Sequence, residues 1–250
     1  MKKVDKTSVT IVIPVKNEEG NIINTLKSID KEVKYAHKII VVDGRSTDKT
    51  GKLVKDYAKR HKNVSLIITS PENSPFKESL IVGINATETE FVATFMGDLS
   101  DNPKTLNKMV KKIYRGADVV IASRYIPGGG TINKPKMQAT ISWVVSKTLH
   151  FLTGIPIHDV SNPFALYRKK LLTAINTVSR ANEIPIELFY NAYFKGAKIA
   201  EVPTIWRGRS VGKSKFNSLK VIPGYAKLYI WALVNSWKFL LAKSLKKLSS

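Results

Sequence analysis

The sequence predicts an α/β fold: a doubly wound, mostly parallel sheet followed by a C-terminal amphipathic helical extension. Short apolar segments alternate with segments of helical spacing through the first half of the chain, which is typical of parallel sheets. Polar and acidic residues follow these apolar segments, at the strand ends where open α/β sheets bind ligands. The chain has 250 residues, of which 43% are hydrophobic, and this favours one large core over two equal domains.

The composition indicates a folded and strongly basic protein. A formal net charge of +22, from 41 basic and 19 acidic residues, predicts a polyanionic partner such as nucleic acid, an anionic membrane surface or a phosphorylated substrate. Cysteine is absent, which excludes disulfides, thiolate metal sites and a cysteine nucleophile. The first residues are basic, but no long apolar run follows them, so we expect no cleaved signal peptide.

The first half of the chain is predicted from its alternation of two patterns. Short runs rich in β-branched residues predict strands over residues 8–14, 37–43, 64–69 and 91–96. Apolar residues at helical spacing predict helices over residues 21–29, 49–61 and 76–85. Neither a G-x-x-x-x-G-K-S/T loop nor a G-x-G-x-x-G turn occurs, which argues against a P-loop NTPase and a dinucleotide-binding domain.

The stretch FVATFMGDLSDNP, residues 91–103, contains the strongest candidate for a ligand site. Its apolar strand ends at Gly97, which lets the backbone turn, and Asp98 and Asp101 follow before Pro103 begins a helix. Carboxylates at this position suit Mg²⁺ or Mn²⁺ holding a diphosphate, because these cations prefer oxygen ligands and share them with substrate phosphates. An Asp-rich turn that caps the next helix is an equally good interpretation of this stretch by itself.

Polar side chains follow three of the first four predicted strands. They are Asn17 and Glu18 after the first strand, Asp43 and Ser46 after the second, and Asp98 and Asp101 after the fourth. Each of them, taken singly, is an ordinary turn residue. Their joint placement at one edge of the sheet predicts a site in which acids accept hydrogen bonds from a base or a ribose.

The second half continues the pattern with longer loops. We predict a fifth strand over residues 117–122, a mobile loop over 126–130, helices over 139–152 and 183–195, and a strand over 198–203. A polar bend at residues 158–164 precedes a short apolar stretch. Residues 206–215 place four cations among glycines and serines, and we interpret them as a loop that captures phosphate oxygens.

Eight motifs occur in the order VTIVIPVKNEEGNI, VVDGRSTDKTG, FMGDLSDNP, IASRYIPGGG, DVSNPFALYR, EIPIEL, KGAKIAEVP and GRSVGKSKF. In these motifs the chain resembles the dolichyl-phosphate mannose synthase-like glycosyltransferases of family 2, over nearly its whole length to about Phe216. The resemblance implies a GT-A fold, a GDP- or UDP-linked sugar donor, Mg²⁺ or Mn²⁺, and a polyprenyl phosphate acceptor. It divides the chain into a glycosyltransferase domain, residues 1–217, and a membrane-surface helix, residues 218–250.

The resemblance also implies roles for individual residues. With the strand-end residues above, it predicts nucleotide-sugar contacts from Pro14, Lys16, Asn17, Glu18, Val42, Asp43, Ser46, Gly97, Asp98 and Ser100. It makes Asp98 the catalytic residue and a metal ligand, and we predict Asp101 as the substitute for the ligand that is missing at Met96. It assigns the phosphates to Arg124, Arg209 and Lys215. The chain departs from the family at Met96, where Asp-x-Asp is usual, and at Gly44-Arg45, where the second Asp and the Gly of Asp-Asp-Gly-Ser are usual.

A phosphate acceptor predicts a mechanism without a general base. The second pKa of a phosphate monoester is about 6, so the acceptor is mostly dianionic at neutral pH and is already a nucleophile. The protein must then neutralise charge on the diphosphate leaving group and hold both reactants in line. In-line displacement inverts the anomeric centre.

Three alternatives stay open from the sequence. The same fold with a saccharide acceptor would need a carboxylate base, for which Asp159 and Glu183 are candidates. A non-catalytic sugar-nucleotide binder would account for Met96. Nucleic-acid binding is disfavoured, because the lysines are spread along the chain and no DNA- or RNA-binding module is present.

The aromatic and apolar C-terminal stretch, residues 223–248, is interrupted by Lys227, Asn235 and Lys238, and so lacks the roughly 20 apolar residues of a membrane span. We predict that it lies on the cytoplasmic face of a membrane together with helix 139–152, which makes the protein cytoplasmic and peripheral. The aromatic residues expected at the headgroups are Tyr225, Tyr229, Trp231 and Trp237, and the cations facing anionic lipid are Lys243, Lys246 and Lys247. Packing against the domain itself or a partner protein is the alternative.

Overall fold

The computed structural model describes residues 9–69, 75–133, 135–172, 179, 183–209, 211 and 218–248. Its strands are β1 (Val9–Val15), β2 (His37–Asp43), β3 (Val64–Ile68), β4 (Phe91–Thr94), β5 (Val119–Ser123), β6 (Gly130–Ile132), β7 (Ala165–Arg168), β8 (Ile199–Pro203) and β9 (Ile205–Arg207). Its helices are α1 (Ile22–Glu32), α2 (Thr50–Ala58), α3 (Pro75–Ala86), α4 (Lys104–Tyr114), α5 (Lys136–Thr153), α6 (Ile184–Phe194) and α7 (Ser218–Leu248), with a 3₁₀ turn at Lys169–Leu171.

Seven of these strands form one large sheet, and their order determines where the candidate site lies. The order is β3-β2-β1-β4-β7-β5-β8, and the pairs β1–β2, β2–β3, β1–β4 and β5–β8 are parallel. This arrangement confirms the predicted doubly wound, mostly parallel sheet. The strand order reverses between β1 and β4, so a crevice opens there at the carboxyl ends of the two strands, where ligands bind in such sheets.

The core lies on both faces of the sheet. Successive residues of β1 alternate between the two faces: Ile11 and Ile13 join the cluster under α1, α2 and α4, and Val12 joins the cluster under α3, α5, α6 and α7. All seven β1 residues are buried, as expected for a parallel strand covered on both sides. This rigid centre fixes the positions at which the loops after β1 and β4 begin.

Three short strands were missing from the prediction. β7 lies antiparallel between β4 and β5, although the sequence showed only an apolar stretch of four residues there. The predicted loops 126–130 and 206–215 are wrong in part, because β6 and β9 pair as a separate two-stranded parallel sheet. Each of these two strands has three residues, too few for a period-two pattern, and they are held by backbone pairing between distant segments.

The C-terminal helix α7 begins at Ser218, and Pro223, a residue type that favours the first turn of a helix, lies inside it. A proline removes a single hydrogen bond from the helix ladder, and a helix of 31 residues retains the rest. Among the described residues, no helix is long and apolar enough to span a membrane.

One side of α7 packs against α5 and α6, as the alternative prediction stated, and buries Leu228 and Ala232. This core also contacts three partly exposed aromatic residues, Tyr225, Tyr229 and Trp231, and their predicted place at lipid headgroups stays a prediction. Trp237 stays exposed. The side chains of Lys243, Lys246 and Lys247 lie outside the part of the chain that the structure describes.

Candidate active site

Two nearly buried carboxylates and one arginine meet at the point where the strand order reverses. Glu18 follows β1 and Asp98 follows β4, and both accept hydrogen bonds from the same Arg209 atom. The distances from Arg209 Nη2 are 3.2 Å to Glu18 Oε1 and 2.8 Å to Asp98 Oδ2. The side chains are 9% exposed for Glu18, 11% for Asp98 and 19% for Arg209, so solvent screens these ion pairs weakly.

The turn after β1 holds Glu18 in place. Asn17 has a positive φ of 51°, a conformation that asparagine tolerates better than most residues, and the chain reverses there into α1. The Glu18 amide donates to Thr50 Oγ1 at 2.8 Å, and Asn21 Nδ2 donates to Glu18 Oε2 at 2.9 Å. The first residue of α2 therefore holds the Glu18 backbone, and the N-cap residue of α1 orients its carboxylate.

The turn after β4 requires glycine and aims Asp98 into the crevice. A Cβ atom on Gly97 would lie 2.6 Å from Val15 Cγ1, closer than side chains approach one another. The Ser100 amide donates to Asp98 Oδ1 at 3.1 Å, which leaves Oδ2 directed at Arg209. The carbonyl of Ser100 accepts the Arg207 amide at 2.9 Å, so β9 is tied directly to this turn.

Asp101 supports the same turn from a buried position. Its Oδ2 accepts the Met96 amide at 3.1 Å. Burial and the nearby Asp98 charge raise the pKa of Asp101 to about 7, although the Met96 amide acts in the opposite direction. Two acids held this close favour a cation beside them. The predicted role of Asp101 as a metal ligand stays a prediction.

The carboxylate oxygens at this turn fit a divalent cation that also binds a substrate. Among the described residues, no cluster of three or more histidine or carboxylate side chains could hold a metal by itself. Mg²⁺ is usually held by one or two carboxylates together with substrate phosphates, and Asp98, with Asp101 beneath it, offers such a partial set. The Met96 thioether is no ligand for a hard cation.

The turns after β1 and β2 are joined through Ser46. The amide and the hydroxyl of Ser46 each donate to Asp43 Oδ1 at 2.7 Å, and the Asn17 amide donates to Ser46 Oγ at 2.7 Å. The structure thus brings together the polar residues predicted at these two strand ends. Pro14 and Val42 are register partners just before them with buried side chains, and Lys16 is exposed beside them.

A cavity of about 500 Å³ opens beside these turns. Its lining residues are Asp43, Arg45, Ser46, Asp48, Gly51, Lys52, Lys55, Leu66 and Ile68. Leu66 and Ile68 give it an apolar wall, and the lysines and carboxylates give it charged groups of both signs. Such a lining suits a planar base attached to a phosphorylated ribose. The contribution of α2 and β3 to this cavity was not predicted, and its signal in the sequence is an apolar residue, Ile68, at the end of a strand.

Arg124 is buried and bound by an acid. Its Nε and Nη2 donate to the two oxygens of Asp159 at 2.7 and 2.8 Å, and Nη2 also donates to Ser161 Oγ at 2.7 Å. Burial by itself would lower the pKa of Arg124, but the Asp159 carboxylate raises it above its ordinary value. The predicted contact of Arg124 with phosphate stays a prediction, and Lys215 lies outside the described residues.

Comparison with known proteins gives a family match. The profile described as "Glycosyl transferase family 2" matches residues 10–175. The chain is 25% identical over 229 residues to the polyprenol monophosphomannose synthase of Mycolicibacterium smegmatis, covering 89% of this chain and 86% of that one. It is 26% identical over 241 residues to the undecaprenyl-phosphate mannosyltransferase of Micrococcus luteus, covering 94% and 98%.

A solved structure shares the fold. The glucosyl-3-phosphoglycerate synthase of Mycobacterium tuberculosis, crystallised with Mn²⁺, UDP and glucosyl-3-phosphoglycerate, matches with a TM-score of 0.66 at 18% identity. The match covers 92% of this chain and 79% of that one. A match over this share of the chain bears out the predicted GT-A type of fold.

Proposed function

Because the chain belongs to glycosyl transferase family 2, we propose that it is an inverting transferase that moves a hexose from a nucleotide-diphosphate sugar to a polyprenyl phosphate at a membrane surface. The observation that carries the proposal is the convergence of Glu18, Asp98 and Arg209 in the crevice between β1 and β4. The names of the two relatives support the choice of a lipid phosphate as acceptor.

In this proposal the residues of the crevice serve to neutralise the negative charge of the donor diphosphate. Asp98, with Asp101 behind it, would hold Mg²⁺ or Mn²⁺, which when bound supplies positive charge for the diphosphate leaving group. The Gly97 turn and the Ser100 amide keep Asp98 in a fixed orientation. Asp43, Ser46 and the cavity beside them would bind the nucleoside, GDP- or UDP-linked, and so orient the anomeric carbon towards the acceptor.

The surroundings of two acids favour a phosphate acceptor over a saccharide acceptor. Asp159, a candidate base for a saccharide, is fully buried and bonded to Arg124. Glu183, the other candidate, is buried against α7, where a Cβ atom on Gly224 would lie 2.9 Å from Glu183 Oε1. Neither acid is placed like a base that meets an incoming hydroxyl. A phosphate dianion needs no base.

The two helices α5 and α7 form an exposed apolar surface that supports the proposed membrane contact. We define this α5–α7 surface by its exposed apolar residues Met137, Ile141, Trp143, Val144, Phe151, Leu152, Ile222, Ile230, Val234, Trp237, Leu240, Leu241 and Leu245. An apolar area of this extent is unusual for a protein that contacts water on all sides. It includes two tryptophans, a residue type enriched at lipid headgroups.

The charges of these helices favour anionic lipid as the occupant of the α5–α7 surface. Neither helix contains an aspartate or a glutamate. Both carry exposed cations, namely Lys136, Lys147, Lys227 and Lys238. Each lysine near an anionic bilayer contributes about 1 kcal/mol, and the apolar side chains add hydrophobic burial. We therefore propose a peripheral location on the cytoplasmic face of a membrane.

A transfer assay tests the proposed activity. The purified full chain is incubated with GDP- and UDP-linked hexoses, polyprenyl phosphate and Mg²⁺ or Mn²⁺, and the lipid product is separated and measured. We expect one donor class to give product, and Asp98→Asn to abolish it while the variant stays folded, because Glu18 still pairs with Arg209. Asp56→Asn, at an exposed ion pair, is the matched control. Donor binding without any product would indicate a non-catalytic binder, and equal activity of the two variants would remove Asp98 from the mechanism.

Vesicle flotation tests the proposed membrane contact. The full chain should float with phosphatidylglycerol vesicles and bind phosphatidylcholine vesicles more weakly. Phe151→Asp and Leu241→Asp should each reduce flotation several-fold, because both side chains are exposed on the α5–α7 surface. Tyr114→Asp, an exposed position on α4, is the control. Equal flotation of all three variants would contradict the assignment of this surface.

A further inference from the structure

Arg209 binds the acids that the proposed function assigns to a divalent cation and its substrate. We propose that Arg209 competes with the cation for Asp98 and exchanges Asp98 and Glu18 for the donor diphosphate when cation and donor bind. This inference rests on the proposed function. In this inference Arg209 has two successive partners: first the carboxylates of Asp98 and Glu18, then the diphosphate. The structure contains the first, with contacts of 2.8 and 3.2 Å.

The competition follows from the charges in the crevice. Glu18 and Asp98 are nearly buried, and the single guanidinium of Arg209 contacts both of them. A divalent cation at Asp98 would lie within contact distance of that guanidinium, and two cations at the same carboxylate repel each other. The guanidinium must then leave Asp98. The diphosphate that arrives with the cation offers it several oxygens in a geometry that suits its planar fork.

The exchange requires movement of the side chain but little movement of the backbone. On one side of Arg209, the Gly208 amide donates to the Ile132 carbonyl at 2.8 Å. On the other side, Asn21 Nδ2 donates to the Val211 carbonyl at 3.2 Å. Arg209 therefore extends from a backbone tied to β6 and to α1. Phosphates held through a cation on Asp98 would lie within the reach of a guanidinium that already contacts Asp98.

The inference predicts effects of opposite sign on two ligands. Arg209→Gln should bind Mn²⁺ by itself more tightly than the wild type, by about three- to tenfold, because the competitor is removed. The same variant should bind a nucleoside diphosphate with Mn²⁺ more weakly, by roughly ten- to a hundredfold, because charge-assisted hydrogen bonds to phosphate are lost. An arginine with only a structural role would weaken both affinities, and one that only binds phosphate would leave the affinity for Mn²⁺ unchanged.

The experiment measures Mn²⁺ binding by the electron paramagnetic resonance signal of the unbound ion, with the full chain and no nucleotide. GDP and UDP are then titrated by calorimetry at saturating Mn²⁺. Arg207→Gln is the matched control, since it removes the same charge from an exposed position two residues away. Arg209→Lys serves as the second variant if Arg209→Gln melts early, and it should also gain Mn²⁺ affinity because an ammonium is a poorer bridge between two carboxylates.

An Mn²⁺ affinity of Arg209→Gln that equals the wild type, or a gain that Arg207→Gln shares, would overturn the inference. Transfer activity measured on the same preparations separates this failure from that of the proposed function. A wild type that transfers sugar while Arg209→Gln binds Mn²⁺ normally refutes only the exchange of partners. A wild type that transfers no sugar while the two affinities change in opposite directions refutes only the activity.

Discussion

Replacing Asp159 by asparagine should destabilise the protein far more than removing an exposed ion pair. Asp159 Oδ2 accepts the backbone amide of Arg124 at 2.9 Å and its Nε at 2.7 Å, and Oδ1 accepts its Nη2 at 2.8 Å. The two side chains are 5% exposed for Arg124 and 0% for Asp159. The perturbation therefore removes one partner of a fully desolvated pair that joins the end of β5 to the loop before β7.

The magnitude follows from the burial of the remaining charge. Breaking a buried pair by removing one partner costs about 3–5 kcal/mol, because the other charge is left uncompensated in a medium of low dielectric constant. Asparagine keeps one acceptor oxygen but directs an NH₂ group at the guanidinium of Arg124. Since whole domains have unfolding free energies of about 5–15 kcal/mol, the loss should be a large fraction of the stability.

Urea unfolding followed by circular dichroism measures the loss of unfolding free energy. The slope of this free energy against urea concentration is compared between the variants. Glu90→Gln is the control, because Glu90 pairs with Arg168 while 63% of its side chain is exposed, and it should lose no more than about 1 kcal/mol. A loss of less than about 1 kcal/mol for Asp159→Asn would refute the reasoning. It would mean that water or another group compensates the charge of Arg124 once the Asp159 carboxylate is lost.

Three further substitutions test the crevice and its surroundings. Gly129→Ala should lower the melting temperature by several degrees, because its Cβ atom would lie 2.5 Å from the Ser123 carbonyl oxygen. Asp101→Asn should raise the Mn²⁺ concentration that gives half-maximal transfer, and an unchanged value would restrict Asp101 to supporting the turn. In steady-state kinetics, Arg209→Lys should lower kcat/KM roughly ten- to a hundredfold, whereas comparable, mild losses for Arg207→Ala and Arg209→Lys would contradict a specific role.

The fold could be predicted wherever one pattern extended over a whole element. β2 was predicted over its observed range, and β1, at Val9–Val15, within one residue at each end, because β-branched runs between polar turns have few other interpretations. β7 was missed because its four residues follow a polar bend and pair in the opposite direction with two strands from other parts of the chain. Such pairing depends on the sheet that is already present.

The site could be predicted to the extent that it follows from strand ends. Asn17, Asp43 and Ser46 meet as expected, since parallel neighbours end at the same edge of the sheet. The carboxylates that pair with the two arginines of the site could not be predicted in this way. Arg209 reaches Asp98 across 111 residues of sequence, and Arg124 finds Asp159 across 35, through folded loops that leave no periodic signal.

The methionine at position 96 gives the crevice an unusual charge balance. The usual motif would place a second carboxylate there, but in this chain only the backbone amide of Met96 contributes, by donating to Asp101. With Asp98 as the carboxylate that faces the crevice and Arg209 already bonded to it, a cation gains less from the protein and must take more of its ligands from the donor. We therefore expect the cation and the nucleotide sugar to bind together, and the cation that replaces Arg209 at Asp98 would leave the guanidinium available to the diphosphate.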